Sequence, residues 1–248
     1  MKKFLIIVLC FLLGTNLYAQ AKSKKYNVYS PTVYKQKNLV QASVDLTVVE
    51  LVVDYSGSMR PWINLAKSTL QTILPKISNK ALVGLRVFGQ DSTFGLSSCT
   101  SSELMSFPKK DNKGQVLAGL NSARIGSSTP LTYALKKTVN NDFSSFYNKA
   151  KKKIILVTDG EDTCGGNPCD FVRKLMAERS DIVIDVIMIS GSNKLKCLSD
   201  ESGGTYYNVG TNSEFTEALN TTLQQIPSHS QDNKIHYQFI PITGKVLN

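Results

Sequence analysis

The amino-acid sequence predicts an α/β fold in which a doubly wound, mostly parallel central sheet carries helices on both faces. Apolar runs typical of strands alternate with amphipathic segments typical of helices along most of the chain. The two clearest strands, Thr47–Asp54 and Lys153–Gly160, are almost continuously apolar, as expected of parallel strands that are buried on both faces. Each of them carries an aspartate at its carboxyl end, Asp54 and Asp159.

The first 19 residues have the pattern of a signal peptide. Lys2 and Lys3 precede an apolar run from Phe4 to Leu13, and Leu17-Tyr18-Ala19 places a small residue before a cut at Gln20. The run is too short to span a bilayer, and no other apolar run is long enough. We therefore expect an exported protein, periplasmic or secreted, with no membrane span.

The rest of the chain divides into one domain and two extensions. Residues 45–226 carry the alternating pattern and form the predicted domain. Residues 20–44 are a polar N-terminal extension with a candidate strand around Asn27–Val33. Residues 227–248 form a C-terminal extension in which the alternating segment Ile235–Ile242 suits an edge strand.

Helical spacing and turn residues define the other elements of the domain. Helices are predicted at Pro61–Ile77, Lys113–Ala123, Pro130–Asn140, Pro168–Arg179, Leu195–Ser202 and Ser213–Ile226. Further strands are predicted at Ala81–Gly89, Asp181–Ser190 and Gly204–Val209, whereas Asp91–Pro108 is expected to be a loop with a short edge strand at Thr93–Leu96.

Three residues carry predictions about the local structure around them. Gly84 inside a strand predicts close packing or a bulge. Asp185 inside an apolar strand predicts a local hydrogen bond or exposure. Thr129 before Pro130 predicts a helix start, with Thr129 as the N-cap and Pro130 as the first helical residue.

The cysteines of the exported chain predict disulfides. Cys99, Cys164, Cys169 and Cys197 remain after the leader, and an even number in an exported chain favours two bridges. A zinc site is the weaker alternative, because the only histidines of the mature chain lie in its tail. Of the three pairings, we favour Cys164–Cys169, which would close a small loop, together with Cys99–Cys197.

The sequence has a positive net charge, but its basic residues do not form a pattern typical of nucleic-acid binding. The net charge of +10 becomes +8 without Lys2 and Lys3. No stretch interleaves aromatic residues with arginines as a nucleic-acid groove would, so we expect no nucleic-acid partner. The basic balance favours an acidic partner or surface.

Polar residues gather where the loops of one sheet edge would meet. Asp54, Ser56 and Ser58 follow the first strand, Thr129 begins a helix, and Asp159 follows the central strand. Right-handed crossovers place all strand-to-helix loops at one edge of a parallel sheet. Carboxylate and hydroxyl oxygens suit a hard cation such as Mg²⁺. The alternative for the D-x-S-G-S segment alone is an ordinary loop that caps the next helix.

These motifs resemble those of the von Willebrand factor A family over about residues 46–226. The family's metal-ion-dependent adhesion site consists of D-x-S-x-S, a later Thr and a later Asp, which match Asp54, Ser56, Ser58, Thr129 and Asp159. The resemblance implies that the two serines and the threonine bind the metal and that the aspartates act through water. The cysteine-flanked loop 164–169 is similar to the bacterial, exported branch of the family.

The resemblance implies a binding module and not an enzyme. We expect Mg²⁺, with Mn²⁺ or Ca²⁺ as alternatives, and a protein partner whose Asp or Glu carboxylate completes the metal shell. A scaffold subunit of a cell-envelope assembly with a structural metal is the second hypothesis. A metal-dependent hydrolase is a minor one, because the domain has no histidine and no evident nucleophile–base pair. Glu161 and Asp162 are expected to be solvated loop charges.

Overall fold

The structure is a computed structural model that describes residues 47–77, 81–91, 98–144, 146, 150–191 and 193–225. The predicted signal peptide, both extensions and the predicted strand at Thr93–Leu96 lie outside the described residues. All described residues belong to one unit, residues 43–248.

A single sheet of six strands organises the described residues. The strands are β1 (Thr47–Asp54), β2 (Leu82–Phe88), β3 (Ser102–Lys109), β4 (Lys151–Thr158), β5 (Ile182–Ile189) and β6 (Tyr206–Val209). Their order across the sheet is β3-β2-β1-β4-β5-β6. All neighbours are parallel except β2 and β3, which are antiparallel.

Helices cover both faces of the sheet, which confirms the predicted fold class. They are α1 (Ile63–Ile73), α2 (Lys113–Ser122), α3 (Leu131–Lys137), α4 (Pro168–Glu178), α5 (Lys196–Ser202) and α6 (Asn212–Gln224). The chain continues from α3 into a π-helical turn, Thr138–Asp142. Helices α1, α2 and α6 pack on one face, and α3, α4 and α5 pack on the other. No helix among the described residues has the length and apolarity needed to cross a membrane.

The core explains why the central strands are apolar throughout. Alternate residues of β1 belong to different core clusters: Val49 and Leu51 face α1 and α6, whereas Val48 and Val52 face α3. All of them are fully buried. Burial of each such side chain stabilises the fold by about 1.5–3 kcal/mol. A strand that is packed on both faces therefore needs a nearly continuous apolar run, which Glu50 alone interrupts between Val48 and Val53 of β1.

The prediction of a loop over residues 91–108 was wrong for its second half. Ser102–Lys109 forms the antiparallel edge strand β3, although its polar sequence shows no clear alternation. The register shifts on both sides of Leu85, beside Gly84. A Cβ on Gly84 would lie 2.6 Å from the Pro108 ring, so the expected close packing and bulge at Gly84 are both confirmed.

Helix α3 begins one residue later than predicted. Pro130 is its N-cap residue and Leu131 its first residue, while the Thr129 carbonyl accepts a hydrogen bond from the Leu131 N–H at 2.9 Å. The N-cap residue of α3 makes no side-chain capping hydrogen bond. Asp162, from a distant loop, accepts a hydrogen bond from the N–H of Thr132 in the first turn instead.

Four cysteines form two disulfides, as expected, but the favoured pairing was wrong. Cys99 is bonded to Cys164, and Cys169 to Cys197, with Cα–Cα distances of 5.4 Å and 5.6 Å. The first bridge joins the loop after β2 to the loop after β4. The second joins the first turns of the neighbouring helices α4 and α5. Proximity in the fold, and not proximity in sequence, decides the pairing.

Asp185 confirms the expectation of a local hydrogen bond within an apolar strand. It is buried, and its Oδ2 atom lies 2.6 Å from Nζ of Lys153. Its Oδ1 atom accepts a hydrogen bond from the Thr205 N–H at 3.0 Å, and Oδ2 accepts one from the Thr222 hydroxyl of α6. The carboxylate therefore joins β4, β5 and the last described helix.

Candidate metal centre

The site residues lie at the carboxyl edge of the sheet, between β1 and β4. The chain leaves β1 towards α1 on one face and leaves β4 towards α4 on the other, so the two loops diverge. Divergence of neighbouring loops at such a switch point opens a crevice, which is where doubly wound folds bind ligands. Asp54 ends β1 and Asp159 directly follows β4, so both carboxylates stand at this crevice.

The Asp54 carboxylate fixes the loop that follows β1. Its side chain is fully buried. Its Oδ1 atom accepts a hydrogen bond from the Ser56 N–H at 2.7 Å, and Oδ2 accepts one from the Thr158 hydroxyl at 2.6 Å. The loop and the end of β4 are thereby held to the same carboxylate. Thr158 was not among the predicted site residues, because in the sequence it continues an apolar strand.

A chain of oxygen atoms runs from Ser56 to Asp159. The Ser56 and Ser58 hydroxyl oxygens lie 3.2 Å apart, and the Ser58 hydroxyl donates to Oδ1 of Asp159 at 2.8 Å. Ser56 is buried, Ser58 is exposed and Asp159 is half-buried. This series of oxygen atoms therefore leads from the interior to the surface. Four of the five predicted site residues are joined in this way by direct hydrogen bonds.

Thr129 joins the same edge through its backbone. Its N–H donates to the Thr163 hydroxyl at 2.8 Å, and its carbonyl accepts from the Thr163 N–H at 3.1 Å. Three residues earlier, the Gly126 N–H donates to the Tyr55 carbonyl at 2.8 Å. The segment 126–129 is thus fixed to both the β1 loop and the β4 loop.

Gly89 permits the close approach of three backbone segments beneath the site. Its φ of +72° is in the left-handed region that favours glycine. A Cβ there would lie 2.5 Å from the Ser128 carbonyl oxygen and 3.3 Å from Oδ1 of Asp54. Any side chain at this position would push the threonine segment away from the Asp54 carboxylate. A glycine directly after a strand was the available sequence signal.

The two site carboxylates have raised pKa values. Burial raises the pKa of Asp54 to about 7, against the opposing effect of hydrogen bonds from Thr158 and Ser56 and with a further increase from the charge of Asp159. Burial also raises the pKa of Asp159, opposed by the Ser58 hydrogen bond. Two carboxylates in this setting repel each other, and a cation between them would lower both pKa values.

Asp162 organises the loop after β4, so the expectation that it is a solvated charge was wrong. Its Oδ2 atom accepts from the Thr132 N–H at 2.7 Å, and its Oδ1 atom accepts from the N–H groups of Cys164 and Gly166 at 2.8 Å and 3.0 Å. Burial raises the pKa of Asp162, but the N–H groups outweigh burial and hold the pKa below its ordinary value. Neighbouring Glu161 pairs with Lys194 at 2.8 Å.

The oxygen donors fit a small hard cation. Neighbouring ligands of an octahedral Mg²⁺ ion are about 3 Å apart, given metal–oxygen distances of about 2.1 Å. The hydroxyl oxygens of Ser56 and Ser58, which lie 3.2 Å apart, are close to this separation. Within the described ranges, no group of three or more His, Cys, Asp or Glu side chains could hold a metal. A cation here would depend on hydroxyl oxygens as well as on the two carboxylates.

The fold and this edge define the class of protein: a doubly wound α/β domain with hydroxyl and carboxylate oxygens gathered at its switch point. The model of the von Willebrand factor type A domain matches residues 49–238 of the chain. The chain belongs to the von Willebrand factor type A family, as its motifs indicated.

Two proteins of Bacillus subtilis (strain 168) are similar to the chain over most of its length. YwmD, an uncharacterized protein, is 29% identical over 197 residues, which are 72% of this chain and 86% of YwmD. YwmC, also uncharacterized, is 26% identical over 196 residues, which are 73% of this chain and 85% of YwmC.

Solved structures of the family show the same fold. The SpRpn10 VWA domain matches with a TM-score of 0.57 and 12% identity, over 71% of this chain and 95% of that domain. Proximal thread matrix protein 1 of the mussel byssus, solved with a zinc-occupied MIDAS motif, matches with a TM-score of 0.56 and 13% identity. The match covers 73% of this chain and 46% of the mussel protein, so the chain spans about half of that protein's length.

Proposed function

We propose that the chain is an exported, non-enzymatic module that binds a protein partner through a metal ion at the carboxyl edge of its sheet. The single observation that carries this proposal is the oxygen chain from buried Ser56 through exposed Ser58 to Asp159. It presents closely spaced neutral and anionic oxygens at a surface that a partner can reach.

The residues have distinct tasks in this proposal. Ser56, Ser58 and Thr129 would hold Mg²⁺ through their hydroxyl oxygens, with Mn²⁺ or Ca²⁺ as alternatives. Asp54 and Asp159 would act through water and through the hydrogen bonds that position the serines. When bound, the ion supplies an electrophilic centre that accepts a carboxylate oxygen of the partner. Hydroxyl ligands leave its charge largely uncompensated, which favours an anionic partner ligand.

The surroundings of the serines support a non-enzymatic role. The described residues contain no histidine, since His229 and His236 both lie outside them. The carboxylate that accepts the Ser58 hydrogen bond is Asp159, which the bound cation would engage through water. An activated serine would need a base that is free to take its proton.

The disulfides support the export part of the proposal. Bridges such as Cys99–Cys164 and Cys169–Cys197 form and persist in oxidising compartments. We propose that the leader predicted from the sequence directs the chain there.

Metal-dependent capture of a carboxylate tests this function. A peptide with one central Asp and blocked ends is immobilised, and the protein is passed over it by surface plasmon resonance in Mg²⁺ and then in EDTA. Binding in Mg²⁺ alone, absent from the Ser56→Ala/Ser58→Ala variant, is expected. Ser68→Ala/Thr72→Ala, which removes two exposed hydroxyls of α1 that bond only to helix carbonyls, is the matched control. Equal binding in EDTA would refute a metal-mediated contact.

A further inference from the structure

The site loop and the helices α1 and α2 carry no acidic residues. Residues 55–90, which include the site loop and α1, contain neither Asp nor Glu. The same is true of residues 112–128, which include α2 and lead to Thr129. Both segments do contain lysine and arginine. These two segments are therefore cationic by composition, and acidic residues of this face lie outside them, at Asp91 and at Glu214 and Glu217 of α6.

Three cations of this surface lie close to the site loop, and we call them the basic flank: Arg60, Lys67 and Arg124. Arg60 is exposed, and its N–H donates to the Gly57 carbonyl at 3.3 Å. Nζ of Lys67 lies 5.8 Å from the centre of the Tyr55 ring.

Arg124 belongs to the threonine side of the site. It is exposed and lies two residues before Gly126, whose N–H donates to the Tyr55 carbonyl. A Cβ on Gly57 would lie 3.3 Å from the Gly126 carbonyl oxygen, so the segments that carry Arg60 and Arg124 meet at the site loop.

The basic flank differs from the exposed surfaces of α4 and α5. No carboxylate of a described residue lies within ion-pair distance of Arg60, Lys67 or Arg124. On α4 and α5, by contrast, exposed cations have partners: Arg173–Glu201, Lys174–Asp170 and Lys196–Asp200.

Trp62 adds a second feature typical of binding surfaces. It is half-buried, it packs against the core cluster beneath α1, and it is two residues from Arg60. Tryptophan and arginine are enriched where protein interfaces gain most of their energy. A polypeptide partner fits an aromatic residue beside arginines.

We propose that the basic flank recognises further carboxylates of an acidic protein segment whose first carboxylate is bound at the metal. This inference rests on the function proposed above and specifies the partner as a segment with several Asp or Glu residues. Cations at the rim of a contact act mainly through long-range attraction, which salt weakens. Lys67, Arg60 and Arg124 would therefore select acidic segments over segments with a single carboxylate.

Two peptides of equal length test the proposal. One carries a single Asp among Ser and Gly, and the other carries the same Asp followed by four Glu residues. Each is titrated into the Mg²⁺-loaded protein at 0.1 M and 0.5 M NaCl, with calorimetry and the fluorescence of Trp62, the only tryptophan of the chain, as readouts. We expect the acidic peptide to bind about tenfold more tightly at the lower salt, and salt to reduce this ratio.

Charge-matched variants assign the preference to the basic flank. In Arg60→Gln/Lys67→Gln/Arg124→Gln, the ratio should fall to about twofold or less while the single-Asp peptide binds as before. Arg173→Gln/Lys174→Gln/Lys196→Gln removes the same charge from α4 and α5 and should keep the ratio. An unchanged ratio in the first variant, or an equal fall in both, overturns the proposal and leaves the metal-dependent function standing. Absence of Mg²⁺-dependent binding of either peptide overturns both.

Discussion

Glu50 is a buried acid at the centre of β1 that has no part in the proposed metal site. Its side chain is fully buried, and neither carboxyl oxygen has a hydrogen-bond partner among the described residues. Arg86 lies nearby but forms a bidentate salt bridge with Asp142, in which Nε and Nη2 donate to Oδ2 and Oδ1 at 2.6 Å and 2.7 Å. Burial, together with the charge of Asp142, raises the pKa of Glu50 well above its ordinary value, against the opposing effect of Arg86.

Replacement of Glu50 by Gln should make the stability of the fold less dependent on pH. The folded state holds the Glu50 proton to a higher pH than the unfolded chain does. The stability that this group contributes is therefore fully present below about pH 4.5 and is lost as the pH rises through the folded pKa. Between pH 5 and 9, the wild type should lose stability relative to Glu50→Gln, by up to about 1.4 kcal/mol per pH unit.

Urea unfolding at pH 5, 7 and 9 measures this difference directly. Glu103→Gln, which removes an exposed carboxylate of the edge strand β3, is the matched control and should follow the wild type. Parallel curves for wild type and Glu50→Gln would show that Glu50 titrates alike in the folded and unfolded states.

At the scale of elements, the Asp185 carboxylate anchors the helix α6. It accepts a hydrogen bond from Thr222 of that helix and pairs with Lys153, whose ammonium also donates to the Thr222 carbonyl at 3.3 Å. Asp185→Ala would leave the largely buried Lys153 ammonium without its partner. Loss of one partner of a buried pair costs about 3–5 kcal/mol.

Equilibrium unfolding of Asp185→Ala should show that loss, with faster hydrogen exchange in α6 than in α4. Asp200→Ala breaks an exposed pair with Lys196 on α5 and should cost no more than about 1 kcal/mol. Equal effects of the two substitutions would mean that Asp185 does not hold the helix.

The number of free thiols in double-cysteine variants tests the disulfide pairing. Cys99→Ala/Cys164→Ala should add no free thiol to the denatured protein, because it removes one complete bridge. Cys164→Ala/Cys169→Ala should add two free thiols, because it leaves Cys99 and Cys197 without partners. The opposite pattern would support the pairing favoured from the sequence. Each bridge closes a long loop, so its removal should lower the free energy of unfolding by about 4 kcal/mol.

The sequence predicted those elements whose physical cause is local. The strands β1 and β4 are buried on both faces, so their apolar runs identify them without further information. Strand β3 was missed because an edge strand with a shifted register needs neither an apolar run nor strict alternation. The role of Asp162 and the disulfide pairing were missed because each depends on which distant loops meet, and a sequence does not show this.

At the scale of the whole molecule, the order of the strands explains why the site residues meet. The central strands β1 and β4 are neighbours but are followed by helices on opposite faces. Asp54, Ser56 and Ser58 come from one loop and Asp159 from the other, so the site exists only in the folded sheet. The alternation of strands and helices was enough to predict this convergence. The Thr158 hydrogen bond and the close backbone approach at Gly89 depend on three-dimensional geometry that the sequence does not show.

The calorimetric titration of the metal-stripped protein with Mg²⁺, Mn²⁺ and Ca²⁺ tests the central claim most directly. The wild type should bind one divalent ion per chain, Ser56→Ala/Ser58→Ala should lose this binding, and Ser68→Ala/Thr72→Ala should keep it. Because Ser58 is exposed and Ser56 is small, the serine variant should stay folded, which thermal unfolding verifies. A folded wild type that binds no divalent ion, alone or with a peptide carboxylate present, would contradict the account.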